Sequence, residues 1–163
     1  MKELPVRKII RLNDYDYSQA GYYFLTICIE DKNDMLGEIV GDAVLCVPSV
    51  NLNNTGKIVK EYLEKMNDNI ENAFLEKYVI MPNHVHLLVM LDNGTQRTAS
   101  PTKAVIPRII HGMKAVTTKY LKYSIWQRSY HDHIIRNEQE YRKICQYIDE
   151  NPAKWVEDKY YVK

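Results

Sequence analysis

The segment 78–90, YVIMPNHVHLLVM, constrains the fold of this chain more than any other. It joins two apolar runs, residues 73–81 and 84–91, through the dipeptide Pro82-Asn83. Proline and asparagine favour turns, because proline fixes φ and the asparagine side chain can hydrogen-bond to nearby backbone. Short apolar runs bounded by turn residues are typical of strands. The segment therefore predicts two antiparallel strands joined by a tight turn.

Two histidines follow this turn at a spacing that places them on one face of the second strand. Alternate side chains of a strand point to the same side of the sheet, so His84 and His86 face one way and Val85 and Leu87 face the other. Imidazoles about 7 Å apart at Cα can converge on one divalent ion. Two ligands alone do not make a metal site, and two ordinary histidines on a half-buried strand explain the same pattern.

The rest of the chain contains patterns for further strands and helices. β-branched and aromatic runs predict strands, and apolar residues at a period of 3.6 predict helices. Polar, turn-rich residues 92–102 are expected to form a flexible loop. The other predicted elements are a strand at 21–30, a hairpin around Gly41-Asp42, a helix at 54–69, a helix from Lys103, a strand at 130–136, and a helix capped by Asn137 that ends at Asn151 before Pro152.

This order of elements predicts an α+β fold. Without the hairpin and the last helix, the elements follow the order βαββαβ of a ferredoxin-like unit, with an antiparallel sheet covered by helices on one face. A chain of 163 residues has the size of one domain. We expect residues 1–163 to form a single domain, with an inserted β-hairpin, a C-terminal helix packed on the sheet and a basic N-terminal arm at 1–14.

Composition excludes several classes of protein. Hydrophobic residues make up 45% of the chain and charged residues 26%, which is typical of soluble globular proteins. No apolar stretch is long enough to span a bilayer, and the N-terminus lacks a signal-peptide pattern. We therefore expect a cytoplasmic protein with no membrane partner. Its three cysteines have no CxxC spacing and are expected to be reduced thiols.

The formal net charge of +1 combines two segments of opposite charge. Residues 103–143 contain nine basic and three acidic side chains, whereas residues 30–76 contain four basic and ten acidic ones. A basic segment of this kind is typical of a surface that contacts nucleic-acid phosphates.

The last predicted helix carries a second group of candidate residues. Tyr147 and Asn151 are four residues apart, so the phenol and the amide share a face one turn apart. A phenol can act as a nucleophile and an amide oxygen can bind a metal. A tyrosine outside the apolar stripe of a helix is more often a plain surface residue. That stripe consists of Tyr141, Ile144, Cys145 and Ile148.

Together these segments resemble the HUH single-tyrosine transposases, and most closely their REP-associated tyrosine transposase branch. The resemblance spans residues 15–155 and rests on four segments in register, which are YDYSQAGYYFLTI, YVIMPNHVHLLV, WQRSYHDHIIRNEQEY and YIDENPAKW. It implies a metal-dependent enzyme that cleaves and rejoins single-stranded or hairpin DNA, formed from imperfect palindromes. The implied intermediate is a covalent 5′-phosphotyrosine.

The resemblance also implies roles for individual residues. His84, His86 and Asn151 would be the ligands of Mg²⁺ or Mn²⁺, and Tyr147 would be the nucleophile. Tyr141 is the alternative nucleophile, although its place on the apolar stripe argues against it. The resemblance allows a homodimer, as in classical relatives, or a monomer, as in REP-associated members. It also implies a location in the cytoplasm with the nucleoid.

DNA contacts are expected from basic residues and from aromatic rings that stack on unpaired bases. We interpret His131 and His133, which share one strand face, as structural or DNA-contacting residues rather than as a second metal site. The predicted DNA-binding residues are Arg7, Lys8 and Arg11 of the N-terminal arm, and Lys114, Lys122, Trp126, Arg128, Arg136 and Lys143.

Two other functions fit the same residues. A protein that binds hairpin DNA without cleaving it would have a structural or regulatory role. A metal-dependent phosphodiesterase that uses water would need the histidines but would form no covalent link to DNA. Neither function needs the Tyr147 phenol, so this side chain separates them from strand transfer.

Overall fold

The computed structural model describes residues 20–41, 47–92 and 105–162. The predicted basic arm with Arg7, Lys8 and Arg11 lies outside these ranges. Cys46 and all but the first residue of the predicted loop 92–102 also lie outside them.

Six strands and four helices form the regular structure of the described residues. No helix among them is both long and apolar enough to cross a membrane. In chain order the elements are β1 (Gly21–Cys28), β2 (Gly37–Val40), β3 (Ser49–Leu52), α1 (Asn54–Glu64), α2 (Met66–Asn69), β4 (Ala73–Ile80), β5 (His84–Leu91), α3 (Val105–Leu121), β6 (His131–Ile135) and α4 (Glu138–Glu150).

Strands β1, β4, β5 and β6 form a four-stranded antiparallel sheet in the order β4-β5-β1-β6. The hairpin of β2 and β3 is a separate two-stranded sheet. Without this hairpin, and with α1 and α2 counted as one divided helix, the elements up to β6 follow the order βαββαβ. The predicted fold class is therefore confirmed, and β5 and β1 are the two central strands.

The main hydrophobic core lies on one face of this sheet. Leu25 of β1 and Leu87 of β5 are fully buried there, against α1 and α3. Helix α1 contributes Leu63 to this core, and α3 contributes Ile109 and Met113. Burying an aliphatic side chain of this size is worth about 1.5–3 kcal/mol, so this layer is what holds the two helices on the sheet.

Helix α4 packs on the opposite face of the sheet. Its residue Ile148 is 2% exposed and packs with Leu88 and Ile135. The helix begins where Asn137 Oδ1 accepts a hydrogen bond of 2.8 Å from the backbone N–H of Glu140, which is the cap that the sequence predicted. The apolar stripe of α4 thus covers the face of β5 that carries the histidines.

Two predicted elements differ from the structure. The predicted helix at 54–69 is divided at Lys65, where the Asn69 side-chain amide donates to the Lys65 carbonyl at 2.7 Å. Such a side-chain bond competes with the helical backbone pattern. The second strand of the hairpin is Ser49–Leu52, whereas the apolar run predicted for it ends at Val47, which is 87% exposed.

The described cysteines agree with the expectation of reduced thiols. Cys28 is buried and Cys145 is half-buried, and both are free.

Gly56 offers a test of the packing between α1 and the segment that precedes β2. A Cβ atom at this position would overlap the carbonyl oxygen of Leu36. We expect Gly56→Ala to destabilise the protein by about 2 kcal/mol, because overpacking against fixed backbone outweighs the roughly 1 kcal/mol that alanine gains in a helix. Urea unfolding followed by tryptophan fluorescence measures the change. The control Lys57→Ala replaces an exposed neighbour and should stay near wild type; equal stability of Gly56→Ala would contradict the prediction.

Candidate active site

Both histidines of β5 are buried on the face of the sheet that α4 covers. His84 is 0% exposed and His86 is 1% exposed. Antiparallel pairing with β1 places His86 opposite Thr26 and His84 opposite Cys28. The two Nε2 atoms lie 3.0 Å apart. Each ring therefore directs one nitrogen at the same point, as the alternation of side chains along the strand predicted.

The other nitrogen of each ring is held by a neighbouring side chain. His84 Nδ1 lies 2.9 Å from Asn83 Oδ1, and His86 Nδ1 lies 2.8 Å from Thr26 Oγ1. Contacts of this kind fix the orientation of a ring whose second nitrogen is used elsewhere.

Tyr147 is brought to the histidines by α4. Its hydroxyl oxygen lies 3.2 Å from His86 Nε2, and its O–H donates to Asp158 Oδ2 at 3.2 Å. The ring is 38% exposed and packs edge-on against Phe24, with ring centroids 6.0 Å apart. The phenol therefore lies at the border between the histidine pair and solvent.

Asn151 lies one helical turn beyond Tyr147, as its spacing predicted. The residue is 2% exposed. Its amide nitrogen donates to Asp158 Oδ2 at 3.0 Å, whereas its Oδ1 is buried and has no hydrogen-bond partner. An unpartnered buried carbonyl oxygen is costly, and this one is free to act as a ligand.

Asp158 belongs to the site but was missed by the sequence analysis. One of its carboxylate oxygens lies within 4.8 Å of a ring nitrogen of His84 and of His86. Its Oδ1 accepts from the backbone N–H of Tyr160 at 2.7 Å. Asp158 follows the short 3₁₀ helix Trp155–Glu157. No periodic pattern marks such a position, and an acid followed by a turn is the only local signal.

A divalent ion fits the donor set at this place. It comprises two imidazole nitrogens and a third donor, which is either the unpartnered amide oxygen of Asn151 or the Asp158 carboxylate. The 3.0 Å between the two Nε2 atoms is about the separation of neighbouring ligands on an octahedral ion with bonds of about 2.1 Å. Nitrogen and oxygen donors suit Mg²⁺, Mn²⁺ and Zn²⁺, so ligand type alone does not select among them.

An open cavity of about 610 Å³ gives access to these side chains. His86, Tyr147 and Asn151 line it together with Asp158. Three basic side chains, Lys143, Lys154 and Lys159, and three acidic ones, Glu150, Glu157 and Asp158, also line the cavity. Lys154 is paired with Glu150.

Burial sets the charge state of the site. It lowers the pKa of His84 to about 4 and that of His86 well below its ordinary value, so both rings are neutral at pH 7. Burial, and next the negative charge of Asp158, raise the pKa of Tyr147 to about 12. The phenol is therefore protonated at neutral pH and must lose its proton before it can attack a phosphorus atom.

The alternative tyrosine lies elsewhere. Tyr141 packs against the ring of Tyr22, with centroids 5.0 Å apart, and its O–H donates to Glu76 at 3.4 Å. None of these residues lines the cavity that contains His86.

Two of the predicted DNA-binding residues, Trp126 and Lys114, make hydrogen bonds within the protein and are not exposed. Trp126 is 5% exposed, and its indole N–H donates to Thr117 Oγ1 at 2.6 Å. The expectation of an exposed Trp126 is therefore wrong, because the ring packs into the main core. The Lys114 ammonium donates to the backbone carbonyl of Gln127 at 2.7 Å, and burial lowers its pKa.

The other predicted DNA-binding residues in the described ranges are exposed. They do not lie on one face, since Lys143 lies on α4 and Lys122 follows α3, which packs on the opposite side of the sheet. The exposed residues are Lys122, Arg128, Arg136 and Lys143.

His133 of β6 has a structural contact. Its Nε2 lies 2.6 Å from Oε1 of Glu140.

The buried histidines predict a pH dependence of folding stability. Their pKa values are lower in the folded chain than in the unfolded chain, so the unfolded chain binds more protons below about pH 6.5. Stability in EDTA should be complete above pH 6.5 and fall as the pH decreases toward 4. The slope should be about 1.4 kcal/mol per pH unit for each histidine. Urea unfolding between pH 5 and 7 measures it.

Two variants serve as controls for this measurement. His84→Gln should reduce the slope, whereas His131→Gln, which changes an exposed histidine of β6, should leave it unchanged. A wild-type stability that is constant between pH 5 and 7 would contradict the prediction.

Comparisons with known proteins match the part of the chain that contains these site residues. The family model described as "Transposase IS200 like" matches residues 48–151, which include both histidines and Tyr147. An uncharacterized protein of Haemophilus influenzae is 32% identical over 174 residues, which covers 96% of this chain and 93% of that protein. The REP-associated tyrosine transposase of Escherichia coli is 30% identical over 86 residues, which covers 50% of this chain and 47% of that protein.

A solved structure has the same fold. It is that of a REP-associated tyrosine transposase bound to a REP hairpin, with a TM-score of 0.60 and 19% identity, covering 98% of this chain and 77% of that one. The family model covers more than half of the chain, with the histidine strand and α4 inside the match. This protein therefore belongs to the family of IS200-like transposases.

Proposed function

We propose that this protein cleaves and rejoins single-stranded or hairpin DNA in a metal-dependent reaction, through a covalent link to Tyr147. The observation that carries the proposal is the 3.2 Å between the Tyr147 hydroxyl and Nε2 of His86, one of two buried neutral histidines. His86 and Tyr147 line the same cavity, which places a candidate nucleophile beside a candidate metal ligand, as phosphoryl transfer through a covalent intermediate needs.

His84, His86 and Asn151 would hold Mg²⁺ or Mn²⁺. A bound ion of this type would withdraw charge from a non-bridging oxygen of the scissile phosphate. The unpartnered Asn151 Oδ1 supports its assignment as the third ligand.

In the proposed reaction the Tyr147 oxygen forms a bond to phosphorus while the bond from phosphorus to the 3′ oxygen breaks. The phenol loses its proton and the leaving 3′ oxygen gains one, which gives a 5′-phosphotyrosine and a free 3′-OH. The phosphotyrosine is still a phosphodiester. A 3′-OH of another strand can therefore reverse the step and rejoin the DNA without another source of energy.

Asp158 is the residue best placed to take the proton from the nucleophile. Its carboxylate already accepts the hydrogen bond of the Tyr147 hydroxyl. The carboxylate is held in place by the Asn151 amide and by the backbone N–H of Tyr160. A positioned general base of this kind typically contributes a factor of about 10²–10⁴ to the rate.

Hairpin DNA is the proposed partner. The solved structure with the same fold contains a REP hairpin, and the cavity at Tyr147 is lined by Lys143, Lys154 and Lys159. Lys122, Arg128 and Arg136 remain proposed phosphate contacts outside the cavity, because they are exposed.

The first test is the covalent intermediate. The protein is incubated with 3′-end-labelled hairpin DNA carrying single-stranded flanks, in the presence of Mn²⁺, and separated on a denaturing gel. We expect a labelled adduct that resists SDS in the wild type and is absent in Tyr147→Phe, because the attacking oxygen is removed. Tyr141→Phe is the matched control and should still form the adduct.

Each other outcome identifies a different function. Binding of the hairpin with no adduct and no cleavage in the wild type would indicate a protein that binds hairpin DNA without catalysis. Cleavage that survives in Tyr147→Phe would exclude the tyrosine mechanism and would indicate hydrolysis by water.

The second test separates the roles of Asn151 and Asp158. Titration of the full chain with Mn²⁺, followed by the electron paramagnetic resonance of the free ion, gives the affinity. We expect Asn151→Ala to weaken Mn²⁺ binding by about tenfold or more, as loss of a ligand does. Asp158→Asn should leave the affinity within about twofold but slow adduct formation by about 10²-fold or more. The opposite pattern would make Asp158 the third ligand and Asn151 a supporting residue.

A further inference from the structure

Asn83 lies at the turn between β4 and β5, directly before the first histidine, and is 1% exposed. All of its side-chain hydrogen-bonding groups have partners. The amide nitrogen donates to the backbone carbonyl of Lys32 and to that of Tyr160, each at 3.0 Å. The amide oxygen lies 2.9 Å from His84 Nδ1.

These partners fix which end of the amide is oxygen. Backbone carbonyls can only accept hydrogen bonds, so the atom of Asn83 that faces Lys32 and Tyr160 must be the nitrogen, with both of its hydrogens used. The atom that faces His84 is then the oxygen, which can only accept. His84 Nδ1 must therefore carry a hydrogen, and in the neutral ring the lone pair is on Nε2.

We propose that Asn83 is a positioning residue that sets the tautomer of His84 and so directs the Nε2 lone pair into the metal site. This inference rests on the proposed function only for its consequence, which is metal affinity. The tautomer itself follows from the hydrogen bonds of Asn83 and exists in the metal-free protein.

The two histidines differ in this respect. The Nδ1 partner of His86 is the hydroxyl of Thr26, which can donate or accept, and so it is compatible with either tautomer of His86. His84 has no such freedom, since its partner can only accept. The pair therefore consists of one ring with a fixed lone pair and one ring that can adjust.

The same amide joins the histidine strand to the segment that supplies Asp158. Tyr160, whose carbonyl accepts from Asn83, follows Asp158 by two residues, and its ring packs on His84 with centroids 4.5 Å apart. The other carbonyl belongs to Lys32, which has a positive φ of 54°. A side chain at residue 83 that cannot donate twice would leave both carbonyls without this partner.

The test is ¹⁵N NMR of the full chain with labelled histidine, without metal, at pH 7.5. The wild type should show His84 with a protonated Nδ1 and an unprotonated Nε2, assigned by comparison with His84→Gln. Asn83→Asp keeps the acceptor and should keep this tautomer. Asn83→Leu removes the acceptor and should lose it. Thr26→Val, which removes the partner of His86, is the matched control and should leave the His84 tautomer unchanged.

Mn²⁺ affinity provides the second readout. Asn83→Leu should bind Mn²⁺ about 10–100-fold more weakly, as is typical when the partner of a metal-binding histidine is removed, and Asn83→Asp should restore most of that affinity. A protonated Nε2 on His84 in the wild type would overturn the inference, even if Asn83→Leu fails to fold. An unchanged tautomer in a folded Asn83→Leu variant would also overturn it.

The outcome is separable from that of the proposed function. The expected tautomers together with no covalent adduct would retain the role of Asn83 and remove the transposition chemistry. Wild-type Mn²⁺ affinity and adduct formation in Asn83→Leu would remove the role of Asn83 and retain the chemistry.

Discussion

The pairing of the two central strands is the interaction on which the rest of the molecule depends. β1 and β5 pair along eight residues, with Thr26 opposite His86 and Cys28 opposite His84. Because side chains alternate, this single register places Leu25 and Leu87 in the main core and both histidines on the other face. A slip of one residue in β5 would exchange the two sets. The hydrophobic energy that fixes the core therefore also fixes the position of the two histidines.

Burial of the histidines explains the protonation states of the side chains in the site. Two imidazoles that are almost completely buried stay neutral, and the phenol beside them stays protonated. Basic side chains such as Lys143 and Lys159 and acidic ones such as Glu157 and Asp158 line the cavity together. The buried rings are therefore neutral nitrogen donors, and the charged groups of the site lie around the cavity.

Local patterns were sufficient to predict the four strands of the main sheet, α4 and the proximity of Tyr147 to Asn151, but they could not predict contacts made across the fold. A period of two identifies the face of His84 and His86, and a spacing of four puts Tyr147 and Asn151 together. Asp158 lies after the last helix, where no period applies, and it reaches the site only because the chain turns back over β5. Trp126 failed as a surface residue for a related reason, since its loop packs against Thr117 of α3.

The position of Tyr147 depends on apolar packing at a distance from the chemistry. Tyr147 precedes Ile148 on α4, and Ile148 is held between Leu88 and Ile135 under the helix. Successive helical residues differ in direction by about 100°, so the seating of Ile148 determines where the phenol points. The hydrophobic contact beneath α4 thus sets the orientation of the Tyr147 side chain. A smaller residue in place of Ile148 would change the orientation of the phenol. The core on the other face of the sheet, with α1 and α3, would stay intact.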